Sequence, residues 1–115
     1  MPLYLSQVAY TAEAWAALVK NPQNRIEAVR PAIEKLGGKI INGYFAFGDY
    51  DVVVIVEMPD HVAAAAIAIA FAAGGACKSI KTTPLLTSAD GMEALKQAAR
   101  SGYKPVTAAA GAATA

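Results

Sequence analysis

Residues Lys39–Met58 read KIINGYFAFGDYDVVVIVEM. Two apolar runs face each other across Gly48-Asp49-Tyr50-Asp51. The first, Ile40 to Phe47, is rich in aromatic and β-branched residues, and the second is Val52-Val53-Val54-Ile55-Val56. A Gly-Asp step between two such runs is the local signature of a β-hairpin. The hairpin decides the fold, because the flanking segments supply what a four-stranded sheet still needs.

Upstream, Leu3 to Tyr10 (LYLSQVAY) is expected to form a first strand. Thr11 offers a helix N-cap, with Glu13 in the first turn, where the helix dipole favours an acid. Ala12 to Val19 follows as a helix, with Trp15, Leu18 and Val19 on one face, until Asn21-Pro22 interrupts it. From Asn24 to Leu36, Ile26, Val29, Ile33 and Leu36 recur at helical spacing, and Pro31 predicts a kink within that run. Arg25 and Arg30 lie near Glu27 and Glu34, so solvated ion pairing is expected of both. Gly37 or Gly38 supplies the left-handed cap.

Downstream, Asp60 is placed to cap a helix over Val62 to Ala73, apolar on every side. Gly74-Gly75 ends it. A phosphate cradle precedes a helix rather than following one, so this pair reads as a terminator. Cys77 to Thr87 reads as a fourth strand that Pro84 confines to an edge or a bulge. Ser88 to Ser101 is a last helix striped by Met92, Leu95 and Ala99. The expected domain is residues 1–102, and 103–115 is expected to be a disordered Ala-rich tail.

The order βαββαβ plus a C-terminal helix predicts an α+β, ferredoxin-like fold with an antiparallel four-stranded sheet in the order 4-1-3-2. Both main helices would cover one face. Val52 to Val56 lacks the polar alternation of a half-exposed strand, so the second face should also be buried. The simplest cover is a second copy of the same sheet, giving a homodimer or a higher oligomer.

The bulk numbers exclude several functions. The 115 residues fit one domain, and 56% of them are apolar against 17% charged. A net charge of +1, with Lys and Arg scattered singly, offers no footprint for nucleic acid or an anionic membrane. The single cysteine, Cys77, excludes an intrachain disulfide and fits a reducing compartment. The first residues, MPLYLSQ, lack a basic stretch followed by an apolar one, so no secretory signal is expected there. Val62 to Ala76 is 15 residues, short of the roughly 20 that span a bilayer. A cytoplasmic location is therefore expected. One His and one Cys without repeated ligand spacing imply no structural zinc, and no cofactor motif appears.

At Gly48-Asp49-Tyr50-Asp51 and the strand after it, the chain resembles the GYD-domain family, named for a glycine, a tyrosine and an aspartate; here these would be Gly48, Tyr50 and Asp51. Leu36-Gly37-Gly38-Lys39 before the hairpin and Glu57-Met58-Pro59-Asp60 after it are similar too, and the likeness covers roughly residues 3 to 100. It implies a ferredoxin-like fold of the dimeric α/β-barrel kind. Relatives by fold include cofactor-free monooxygenases, haem-handling enzymes and small isomerases, but the resemblance brings no mechanism with it.

Topology assigns the ends of the sheet. Tyr10-Thr11, Asp49-Tyr50-Asp51 and Gly74-Gly75 should converge at one end. Gly37-Gly38, Asp60-His61 and Thr87-Ser88 should gather at the other. Candidate ligand-binding residues are therefore Tyr10, Asp49, Tyr50 and Asp51. The two aspartates either hold a cation or polar ligand, or support the turn through backbone bonds. Tyr50 either packs over the turn or offers its phenol. His61 is carried as a further candidate base or haem ligand. It cannot pair with Asp51 within one chain, since seven strand residues span about 23 Å at ~3.3 Å each. Cys77 reads as a small buried thiol. Three functions compete: a ligand-binding homo-oligomer with its cleft between sheet and helices, a monooxygenase- or isomerase-like enzyme using that cleft, and a ligand-free assembly module.

Overall fold

A computed structural model describes residues 1–106. The remainder of the Ala-rich tail, residues 107–115, lies outside the described residues. The elements are β1 (Leu3–Tyr10), α1 (Ala12–Lys20), α2 (Arg25–Lys35), β2 (Lys39–Phe45), β3 (Val52–Glu57), α3 (His61–Ala73), β4 (Cys77–Leu85) and α4 (Ser88–Ala99). The chain divides into one unit over Met1–Leu85 and a second that begins at Leu86.

In the first unit all strand pairs are antiparallel and the sheet order is β2-β3-β1-β4, the order 4-1-3-2 counted from the other edge. This is the expected α+β, ferredoxin-like arrangement. Strand β4 is an edge and Pro84 sits within it, where a missing N–H costs no ladder bond. The Thr11 and Asp60 caps fall where the sequence places them, and the structure adds Asn24 as the cap of α2. The Thr11 hydroxyl accepts the Ala14 N–H, the Asn24 side chain accepts from Ile26 and Glu27, and the Asp60 carboxylate accepts from Ala63. Gly37 follows α2 at φ +87°, a left-handed conformation that suits glycine. Pro31 lies inside α2, which continues through it to Lys35.

One sheet face meets α2 and α3. Val52, Val54 and Val56 of β3 and Tyr4 and Val8 of β1 point to this side and are buried with Ile26, Ile33 and Ile67. A Cβ on Gly43 would stand 2.9 Å from both Ile26 and Val54, so the glycine lets α2 settle onto β2. The opposite face carries Leu3, Leu5, Val53 and Ile55, which stay half-buried in the single chain. Tyr44, opposite Val53, is 62% exposed.

The turn is longer than a tight two-residue reversal. Strand β2 ends at Phe45, and the Ala46 N–H donates to the Asp51 carbonyl across the loop at 2.8 Å. Phe47 projects from this loop wholly exposed.

The second unit contains α4, capped by the Thr87 hydroxyl, which accepts the Asp90 N–H at 3.1 Å. No helix among the described residues is long and apolar enough to cross a membrane.

Candidate functional site

The core of the first unit is solid at one end and hollow at the other. At the solid end, Ile33 and Met58 are the most fully enclosed large side chains, and both press close to Gly38. Truncating either to alanine would cost about 2–5 kcal/mol. At the other end, between the sheet and α1, α2 and α3, lies a cavity of about 520 Å³. Val8, Val52 and Val54 form its floor, and Val29, Ile67 and Phe71 form part of its walls. Helix α1 has no buried residue of its own and contributes Ala14, Ala17 and Leu18 to the lining. As a sealed void, this volume would cost about 12 kcal/mol at ~24 cal/mol per Å³. That is comparable with the whole stability of a domain, about 5–15 kcal/mol. The cavity is partly open, with Ala17, Gln23 and Ala28 exposed along it. Water that enters meets mostly hydrocarbon and finds few hydrogen-bond partners.

Three titratable side chains line this space: Tyr10, Arg25 and Cys77. Cys77 owes its position to a bulge. Ala9 pairs with Ser79 but Tyr10 pairs with Cys77, so Lys78 is left over. That extra residue turns Cys77 onto the helix-facing side, beside Tyr10. Burial pushes both the Tyr10 phenol and the Cys77 thiol above their ordinary pKa, while the nearby Arg25 guanidinium pulls each the other way. Both groups are accordingly neutral at pH 7. Cys77 is a thiol there rather than a thiolate nucleophile. Tyr10 stacks edge-on against Trp15 of α1, with ring centroids 5.5 Å apart.

The sites expected from the sequence fall into three places. Tyr10 lines the cavity. Asp51 stands at the same end as a clamp: its carboxylate accepts the Tyr10 N–H at 2.9 Å, and its own N–H donates to the Val8 carbonyl at 2.7 Å. Asp49 and Tyr50 sit in the β2–β3 loop, outside the set of cavity-lining residues. The Thr11 N–H reaches the Ala76 carbonyl at 3.0 Å, so the β1 end, the hairpin loop and the end of α3 do converge.

His61 belongs to the solid end. Its Nδ1 lies 2.7 Å from the hydroxyl of Tyr4, a residue only 2% exposed, and the two rings meet edge-on. Tyr4 and Tyr10 are six residues apart on β1, which separates His61 from Asp51 by about 20 Å at ~3.3 Å per residue. Among the described residues, no group of three or more His, Cys, Asp or Glu side chains could hold a metal ion.

Arg25 corrects one expectation. The ion pair of this helix is Arg30 with Glu27, at 2.8 Å, whereas Arg25 donates to the Gln23 side chain at 2.9 Å and lines the cavity. Helical position alone suggested pairing for both arginines. Nothing in the sequence marked Arg25 as the one whose helix start overlies the hollow end of the core.

Fold and site together define a ferredoxin-like α+β domain with an apolar cavity beneath its helices. The chain belongs to the GYD domain family, whose model matches residues 4–95. No curated protein and no solved structure matches the chain.

Proposed function

We propose that this GYD domain is a small-molecule-binding protein that works as a homodimer, with its ligand in the cavity between the sheet and α1, α2 and α3. The observation that carries this reading is the cavity itself. Its volume of about 520 Å³ lies within the range of about 300–1,000 Å³ usual for ligand pockets, and its walls are mostly apolar with a few polar groups at one end. The Gly48-Asp51 loop supports the site from behind: Asp51 holds the backbone at Tyr10, and Tyr10 in turn faces the cavity.

The dimer is supported by the other sheet face, where Leu3, Leu5, Val53 and Ile55 form an apolar surface flanked by Gln7, Glu57 and Lys81. A second sheet of the same kind would bury it. Burial favours the neutral forms of Tyr10 and Cys77, so neither is a ready general base or nucleophile at pH 7. Binding is therefore the reading the geometry supports best.

Filling the cavity from within tests it. Val29 is half-buried and lines the space, so Val29→Phe should raise the melting temperature while abolishing binding of small apolar compounds. A lowered melting temperature would mean that the region is already close-packed, since overpacking costs about 1–3 kcal/mol.

A further inference from the structure

We infer that the ligand class of this cavity is a small apolar monocarboxylic acid, its carboxylate held by Arg25 and its hydrocarbon body lodged against Val29, Ile67 and Phe71. The inference rests on the cavity reading above and adds the charge of the occupant.

Arg25 is the one formally charged residue among those that line the space. No aspartate or glutamate lines it. Among the described residues, the ion pair is Arg30 with Glu27, so the Arg25 charge is not met by a carboxylate. Its Nη1 donates to the neutral amide oxygen of Gln23, and the Tyr10 phenol lies within its reach, so neither neighbour cancels its charge. A guanidinium presents paired N–H donors in the geometry that a carboxylate accepts bidentately. Arg25 is also the first residue of α2, where the helix dipole favours an anion. Neutral Tyr10 adds a phenol to the same space. One guanidinium balances a single negative charge, which favours a monoanion over a phosphate dianion. The apolar walls favour a ligand whose remainder is hydrocarbon.

The test is calorimetric titration of the full chain with phenylbutyrate and with phenylbutanol, which share an apolar body and differ in the charged end. The wild type should bind phenylbutyrate at least tenfold more tightly at pH 7, the factor expected when a charge-assisted hydrogen bond is gained. Arg25→Gln should bring the two affinities within twofold while phenylbutanol binding is kept. Equal wild-type affinities, or an acid preference that survives Arg25→Gln, would overturn the inference and leave the cavity reading standing. Failure of both compounds to bind the wild type would overturn the two together.

Discussion

The Asp51 carboxylate accepts the backbone N–H of Tyr10 at 2.9 Å, tying the hairpin loop to the end of the first strand. The Asp51 N–H donates to the Val8 carbonyl, so one residue bonds β1 twice at the point where Tyr10 turns toward the cavity. Asp51→Ala strands the Tyr10 N–H and should destabilise the domain by about 1–3 kcal/mol in denaturant unfolding. Asp51→Asn keeps an oxygen acceptor and should lose less. Equal stability of Asp51→Ala and wild type would show that Asp51 does not act as a clamp.

His61 acts on Tyr4 at the solid end. The buried phenol has its hydrogen-bond partner in His61 Nδ1, so His61→Ala should cost about 1–3 kcal/mol by leaving that hydroxyl unsatisfied. In a Tyr4→Phe background the same substitution should cost much less. A double-mutant cycle by thermal unfolding measures the difference. An unchanged cost in both backgrounds would show that the histidine stabilises by some other contact. Ligand affinity should be untouched in every variant of this cycle.

Alkaline pH should weaken the fold through the cavity wall. Burial raises Cys77 above its ordinary 9.0 and Tyr10 above its ordinary 10.0, so between unfolded and folded values the native state binds more protons. Stability then falls as pH rises. The contribution is fully present below about pH 9 and is lost as pH climbs through the two folded-state values. Urea midpoints measured from pH 7 upward should decline, and Cys77→Ala should decline less steeply. Parallel profiles for the two proteins would contradict the assignment to Cys77.

The open sheet face makes a separate prediction. Ile55 is half-buried in the single chain and sits between Asn42 and Leu5 on that face. Ile55→Asp should convert a dimer to a monomer in size-exclusion chromatography with light scattering, without loss of the circular-dichroism signal. A wild type that is already monomeric would reject the dimer.

Much of the fold was legible because its determinants are local. The caps Thr11 and Asp60, the left-handed glycine at Gly37 or Gly38 and the β-branched run of Val52 to Val56 act within a few residues of where they stand. Strand order followed because βαββαβ leaves few other packings, and Pro84 agreed with an edge. The site was legible only as an end of the sheet. Tyr10 and Asp51 were placed together by topology, but whether each side chain faces a ligand or a backbone amide depends on contacts between distant segments. Asp51 proved to serve the Tyr10 N–H. Arg25 was missed because its place depends on a void, which arises from how three helices pack over one sheet face and leaves no mark on the residues that surround it. Cys77 reached the cavity through a one-residue bulge that has no sequence signal of its own.

The hollow end of the core should take up a small apolar molecule. Methyl NMR spectra recorded during a titration with phenylbutanol test it most directly, because they report place as well as affinity. Saturable shifts should appear at Val29, Val54 and Ile67 around the cavity, with Leu5, Val53 and Ile55 on the open face unmoved. Saturable shifts confined to the open face, or none at the cavity methyls, would contradict it.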